Sequence, residues 1–282
     1  MRKKRVLPGF GLSLGFTMLY MSLFVLIPLS IVLIPLSIVF IQTSQLGWKK
    51  FAGVITNERV LHSYQVSFTT SFAAAIVNAI FGLLIAWVLV RYKFPGKRLL
   101  EGLIDLPFAL PTAVAGITLT TLYAENGWIG KIFSLFHIKV AFTPLGIIVA
   151  LTFIGLPFVV RMVQPVLQNI DKEVEEAASS LGASRLQIFV KIILPEIFPA
   201  LLAGFSLAFA RALGEYGSVV FIAGNMPMKT EIAPLMIMTK LEQYDYAGAT
   251  AVATVMLIIS LLFLLLINMI QSWSRRHELK SE

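Results

Sequence analysis

Six long apolar runs, separated by shorter polar segments, dominate the pattern of hydrophobic and polar positions. Each run is long enough to cross the roughly 30 Å hydrocarbon core of a bilayer as a helix. Alternating ten-residue strands, which are typical of a membrane β-barrel, do not occur. The pattern therefore predicts an all-α integral membrane protein with six transmembrane helices. The runs cover residues 10–41, 64–90, 102–124, 142–163, 195–223 and 247–271.

Composition narrows the class of protein further. Apolar types make up 57% of the 282 residues and charged types 13%, and the mean hydropathy is +0.85. Because a soluble globular chain carries about 25% charged residues, this composition argues against a water-soluble domain, a disordered chain or a collagen-like repeat. The chain has no cysteine, which excludes disulfides and thiolate metal sites.

Lysine and arginine are distributed unequally between the segments that connect the runs. Of the 23 cations, 15 lie at the N-terminus, in segments 91–98 and 161–191, and in the tail. Seven lie in the alternate loops, and Arg211 lies inside an apolar run. This bias predicts that both termini are cytoplasmic, which requires an even number of spans. The first run is too long for a signal peptide and lacks a small-residue cleavage site, so we expect an uncleaved span.

The first run contains a tandem repeat. Residues 25–31 read VLIPLSI, and residues 32–38 repeat the same seven letters. Seven residues lengthen a helix by about 10 Å and rotate its face by only about 20°. We therefore interpret the repeat as a local duplication that makes the first span longer than the bilayer, with tilt or a proline kink as the result.

Recognisable catalytic motifs are missing from the sequence. It contains no GxxxxGK[ST] phosphate loop and no HExxH, GxSxG or GxGxxG pattern. His62, His137 and His277 do not cluster, and the basic runs lack the interleaved aromatics of a nucleic-acid surface. We predict no catalytic residue, no metal site and no nucleic-acid partner, so any energy for work must come from another protein.

The segment 161–199 is the longest predicted cytoplasmic loop and reads as two short helices. Asn169 or Asp171 can cap the first helix, and Gly182 ends it. Ser184 can cap the second, which we expect to run to Leu194 before Pro195 opens the fifth span. This helix–glycine–helix knob is suited to docking into a partner; an amphipathic interfacial loop is the alternative.

The letters of this loop resemble the signature EAA-x3-G-x9-I-x-LP of ABC importer permeases. The matching residues are Glu176, Ala177, Ala178, Gly182, Ile192, Leu194 and Pro195. The resemblance implies the ABC type-1 importer permease fold, with a coupling loop over 164–194 that sits in a groove of a cytoplasmic ATPase. Glu175 and Glu176 would then reach basic groups on that ATPase, and ATP would bind to the ATPase, leaving this chain without a cofactor.

Four further stretches resemble the sulfate/molybdate branch of the family, and within it the T-type sulfate permease subunits. They cover residues 5–10, 105–116, 157–161 and 213–225. The resemblance departs mainly at the repeat and in the loop 124–141. It implies an assembly with a second, similar permease, two ATPase subunits and an extracytoplasmic sulfate-binding protein.

The resemblance also divides the chain and places it in a membrane. Residues 1–61 would hold the cytoplasmic N-terminus, the first span and an outer loop. Residues 62–272 would form the transmembrane core, and residues 273–282 the cytoplasmic tail. The membrane would be a bacterial plasma membrane, or a chloroplast envelope if the chain is plastid-encoded. Thiosulfate, molybdate and tungstate are alternatives to sulfate, and a membrane enzyme or sensor without recognisable motifs is the remaining class.

Scarce polar residues inside the runs are the candidates for a substrate pathway. Arg211 and Glu215 lie four residues apart in the fifth run, so one helix face would carry both. They could attract a dianion, or they could form a structural ion pair that orders helix packing.

Two other runs supply weaker candidates. In the third run, Pro107 and Pro111 predict a kink. The hydroxyls of Thr112 and later threonines would donate to the carbonyls that the prolines leave without a partner, or would face a pore. In the second run, Ala74, Asn78, Gly82 and Ala86 form a small-residue stripe that we interpret as a helix contact, with Asn78 as its one candidate pathway donor.

Overall fold

The computed structural model describes the backbone of residues 10–278, which is helical throughout apart from turns and loops. The basic residues before position 10 and Lys280 lie outside the described residues. The long helices are α1 (Gly11–Gln45), α3 (Glu58–Arg91), α7 (Pro144–Asn169), α9 (Arg185–Leu213) and α12 (Tyr246–Glu278). The shorter ones are α2 (Trp48–Ile55), α4 (Lys97–Ala109), α5 (Thr112–Tyr123), α6 (Trp128–Leu135), α8 (Lys172–Ser180), α10 (Val219–Ala223) and α11 (Ala233–Glu242).

Five helices of the described chain are long and apolar enough to cross a membrane on their own, and a sixth crossing requires the pair α4 and α5. These two helices meet at an angle of 114°. The third run is therefore broken rather than kinked. Leu110 has extended backbone because the ring of Pro111 disfavours a helical conformation at the residue before it.

The fifth run also differs from the sequence prediction. The second loop helix does not stop before Pro195 but continues as one helix, α9, from Arg185 to Leu213. A wide π turn over Phe189–Ile193 comes directly before Leu194 and Pro195. Pro195 has no N–H to donate, and such turns are common where the regular hydrogen-bond ladder is interrupted. At its other end, α9 stops at Gly214, so Glu215 lies outside the helix and the prediction of one shared helix face was wrong.

The core of the bundle is formed by α3, α7 and α9. The predicted small-residue stripe on α3 is buried, which confirms its interpretation as a helix contact. Val159 of α7 lies between two glycines of the neighbouring helices. A Cβ at Gly82 of α3 would come within 2.7 Å of the Val159 side chain, and one at Gly204 of α9 within 2.8 Å of its Cα.

The first helix is the least enclosed element. Its apolar window is not buried within the structure, and the hydroxyls of Thr43 and Thr254 join it to α12 by a 2.9 Å hydrogen bond. Its 35 residues span about 52 Å, which exceeds the bilayer core. This agrees with the excess length predicted from the repeat, and a π turn at Ser22–Leu26 comes just before the first repeat proline, Pro28.

The close approach of α9 to α7 leads to a stability prediction. We expect Gly204→Ala to destabilise the bundle by about 1–3 kcal/mol, because the added methyl group meets backbone that cannot rotate away. Gly102→Ala is the matched control, since no atom lies within 4 Å of its added Cβ. Thermal unfolding of the detergent-solubilised chain measures both variants. Equal midpoints for the two variants would contradict the packing described here.

Candidate coupling loop and translocation pathway

The coupling loop is built from two local stop and start signals. The helix α8 begins after Asp171 and ends at Leu181, and Gly182 follows with a left-handed φ of +85°. The N–H of Ala183 reaches back to the carbonyl of Ala178 at 3.0 Å, as in a glycine-terminated helix. Ser184 then starts α9 with a reciprocal capping box to Gln187. The predicted turn at Gly182 and cap at Ser184 are therefore both confirmed.

Apolar side chains anchor this loop to the bundle. Ile188 and Ile193 are buried in the same cluster as residues of α3 and α7, and Ala178, Ile192 and Leu194 pack against that cluster. The ring of Phe189 meets Trp87 of α3 edge to face, with ring centroids 5.4 Å apart. Because interiors of this density transmit strain, a force on the loop is passed to the spanning helices.

The two adjacent glutamates of the loop have different surroundings. Glu175 forms an ion pair with Arg91 at the end of α3, and the Arg91 guanidinium lies 5.3 Å from the centre of the Trp87 ring. The neighbouring Glu176 is exposed. Both carboxylates were expected to reach a partner, whereas in the structure Glu175 is paired within its own chain and only Glu176 stays exposed.

The outward side of the loop combines exposed apolar side chains with acids. Val174, Ala177 and Leu181 follow the i, i+3, i+7 spacing of one helix face, and all three are exposed. Leu181 is 90% exposed and Leu186, beyond the glycine turn, is 71% exposed. We call these four residues the loop knob. Exposed leucines beside Glu176 form a small apolar surface with an acidic edge, which suits a basic-rimmed groove.

Arg211 and Glu215 form an ion pair, which is compatible with either role that the sequence leaves open, although they do not share a helix face. Arg211 lies in the last turn of α9, and its Nη1 donates to Glu215 Oε2 at 2.6 Å. Glu215 is only 2% exposed and also accepts hydrogen bonds from the Ser218 N–H and hydroxyl at 2.9 and 3.0 Å. Arg211 keeps 36% of its side-chain surface exposed. The pair therefore presents its cation and hides its carboxylate.

Thr112 is brought close to this pair by the bent helices. It starts α5 and lies against Gly217, and the backbone of Ser218 lies against Gly116 one turn later. The turn that holds Glu215 thus rests directly on α5. The hydroxyls of Thr118, Thr120 and Thr121 donate to carbonyls of their own helix, at Val114, Gly116 and Ile117, instead of to groups freed by the prolines.

Asn78 lies in the contact between α3 and α7 rather than on an open wall. It is 1% exposed, and its amide group lies against Gly155. Its Oδ1 has no hydrogen-bond partner within the described part of the chain. In this conformation its environment is that of a packing residue, and its role as a pathway donor stays a prediction.

One arginine within a spanning helix was not predicted from the sequence. Arg161 was counted at the start of the loop, but α7 continues through Pro165 to Asn169, so Arg161 lies within a spanning helix. It pairs with Asp105 of α4, with Nε 3.0 Å from Oδ1 and a second contact between Nη2 and Oδ2. The apolar positions that continue to Leu167 could have predicted this longer helix, because proline is tolerated inside spanning helices.

A second unpredicted ion pair lies at the start of α3, the end opposite to Arg91. Arg59 donates from Nε and Nη2 to both carboxylate oxygens of Glu231, at 2.7 and 2.8 Å. Glu231 is 1% exposed and Arg59 39% exposed. This bidentate pair joins the start of α3 to the segment before α11. From the sequence, Arg59 was expected to be one of the seven loop cations.

The helical bundle, its broken third span and its anchored coupling loop are those of a polytopic membrane protein. Residues 78–278 match the family described as binding-protein-dependent transport system inner membrane component. The chain belongs to this family, and it is therefore a membrane component of a transport system.

Individual relatives extend this similarity over nearly the whole chain. The chain is 52% identical over 269 residues to the sulfate transport system permease protein CysT of Salmonella typhimurium, with 95% of both chains covered. It is 49% identical to the probable sulfate transport system permease protein cysT of Nephroselmis olivacea, covering 92% of this chain and 89% of the relative.

Among solved structures, the fold is similar to a chain of a bacterial ABC transporter involved in the import of the acidic polysaccharide alginate. The TM-score is 0.72, and the match covers 95% of this chain and 96% of the other. Sequence identity is 16%, so this likeness concerns the fold alone. It confirms the predicted ABC importer permease fold.

Proposed function

We propose that this chain is the membrane-spanning permease subunit of an ATP-driven, binding-protein-dependent importer that moves sulfate. The similarity to relatives named sulfate transport permeases carries the proposal, because 52% identity extends over 95% of both chains. The anchored coupling loop supports it independently, since a permease without its own ATPase must take up work at such a surface.

The partners follow from this proposal. The loop knob docks on one of two cytoplasmic ATPase subunits, which bind the ATP. A second, similar permease and an extracytoplasmic sulfate-binding protein complete the assembly. Both termini and the coupling loop then face the cytoplasm or, in a chloroplast envelope, the stroma. The 15 cations at these positions support this orientation.

The substrate path runs past Arg211, Glu215 and Thr112, with Asn78 deeper in the helix contact. Sulfate is a dianion at neutral pH, so a path must attract it without holding it tightly. Arg211 supplies an exposed cation, and Glu215 limits how strongly it binds. The Thr112 hydroxyl, at the broken point of the third span, is a neutral donor that suits a passing anion.

Uptake of radiolabelled sulfate in a strain without its own permease tests the proposal. Expression of this chain with its partner subunits is expected to restore uptake, and excess molybdate is expected to leave it largely unchanged. Uptake that is absent with sulfate but present with labelled molybdate or tungstate would favour the alternative oxyanion. Competition by thiosulfate would widen the substrate class without changing the mechanism.

The inward-facing carboxylate of the loop leads to a prediction about coupling. We expect Glu175→Gln to slow uptake about tenfold, because losing a charged hydrogen bond of about 1.5 kcal/mol loosens the loop on α3. ATPase co-purification should persist, since the loop knob is intact. Exchange of both charges, Arg91→Glu with Glu175→Arg, should recover part of the rate. Glu173→Gln, on the exposed side of the same helix, is the control, and equal rates for it and Glu175→Gln would refute the role.

A further inference from the structure

The Arg161–Asp105 pair joins α7 to α4, two segments of the predicted spans, and both side chains stay partly exposed. Arg161 is eight residues before the end of α7, or about 12 Å from that end. Its side chain is 40% exposed and that of Asp105 41% exposed. Charged groups within spanning segments almost always face a water-filled cavity or the interior of a bundle rather than lipid. The exposure of this pair therefore marks a polar path or a protein neighbour.

The guanidinium of Arg161 is held in place by hydrogen bonds that do not use all of its N–H donors. It donates from Nε and Nη2 to Asp105 and from Nη1 to Gln164 Oε1 at 3.2 Å. A guanidinium has five N–H donors, so within the described part of the chain two are left for another acceptor. Gln164 is 7% exposed and holds the group from its buried side. The Arg161 side chain is itself 40% exposed, so the remaining donors belong to a group that is open to a further acceptor.

The bent pair of helices links Arg161 to the first anion candidate. Asp105 belongs to α4, before the bend, and pairs with Arg161. After the bend, α5 supports the turn at Gly217 and Ser218 that holds Glu215 against Arg211. One broken element therefore contacts two arginine–carboxylate pairs, one on each side of the break. In each pair the arginine keeps more than a third of its side-chain surface exposed; Asp105 is exposed as well, whereas Glu215 is buried.

We propose that Arg161 is a second binding residue for the translocated oxyanion, on the coupling-loop side of the bend, with Asp105 as its displaceable counter-ion. This inference rests on the proposed function of the chain as an oxyanion permease. A tetrahedral oxyanion offers two oxygens in the spacing that a guanidinium binds in a bidentate manner. Re-formation of the bond to Asp105 then releases the anion, which keeps the site weak enough for conduction.

Sulfate uptake by Arg161→Gln, expressed per permease chain in the membrane, is the first measurement. We expect a fall of about tenfold or more, the loss that accompanies one charged bidentate contact. Arg98→Gln is the matched control, because Arg98 is an exposed arginine on α4, the helix that carries Asp105. Uptake by Arg161→Gln equal to that of the control would overturn the inference. Failure of the unmodified chain to restore uptake would instead refute the proposed function.

Two double variants separate anion binding from a purely structural ion pair. If Arg161 binds the anion, Asp105→Asn with Arg161→Lys should transport faster than Asp105→Asn with Arg161→Gln, because only the first keeps a cation. If the pair is structural, the order is reversed, since a neutral amide pair is tolerated better than an unpaired ammonium. The reversed order, or full recovery by the neutral pair, would overturn the inference.

Discussion

Replacing Leu181 and Leu186 together by aspartate is expected to abolish uptake while leaving the chain in the membrane. Both side chains lie on the loop knob, and they are 90% and 71% exposed. Exposed leucines at a glycine turn add nothing to the bundle, so the substitutions should not reduce folding. In a partner groove each buried leucine contributes about 2 kcal/mol, and the two losses weaken docking by about a thousandfold.

Co-purification of the ATPase with the tagged permease measures this effect directly. Leu135→Asp is the control, because Leu135 is a 77% exposed leucine at the end of α6, in a loop predicted to be extracytoplasmic. The control should retain the ATPase, and the double variant should lose it together with uptake. Retention of the ATPase by the double variant would mean that the knob is not the docking surface.

The coupling loop could be predicted from sequence because its signals are local. Gly182 lies where only a residue free to adopt a positive φ ends a helix without strain, and Ser184 lies three residues before the glutamine of its capping box. Neither signal depends on the rest of the fold. The same is true of the stripe on α3, where a small residue every fourth position is sufficient to predict a close helix contact.

Other features depend on contacts between distant segments and could not be predicted in this way. Nothing near Glu175 in sequence indicates that it turns towards Arg91, which lies 84 positions away. Glu231 is buried against Arg59, which lies 172 positions away. The end of α7 was missed for another reason: Pro165 and Arg161 are both unfavourable in a lipid-facing helix, whereas inside a bundle neighbouring groups satisfy them.

Neutralising Arg211 and Glu215 together is expected to reduce uptake about a hundredfold without loss of protein. Arg211→Gln alone is a poor test, because it leaves the 2% exposed Glu215 carboxylate without its cation and destabilises the chain by about 3–5 kcal/mol. In the variant with Arg211→Gln and Glu215→Gln, the new amide oxygen can still accept from Ser218. Stability is then restored, while the exposed cation and about 3 kcal/mol of charged hydrogen bonding to the anion are lost.

The pair between Arg59 and Glu231 provides a matched control with nearly the same burial. Its arginine is 39% exposed and its glutamate 1% exposed, against 36% and 2% for Arg211 and Glu215. Arg59→Gln with Glu231→Gln should therefore show the cost of removing a buried ion pair that only joins two segments, with uptake per chain near that of the unmodified protein. If both neutral pairs transport at that rate, Arg211 and Glu215 order the helices and do not meet the anion. If only the Arg211 pair fails, the exposed cation at the end of α9 belongs to the path.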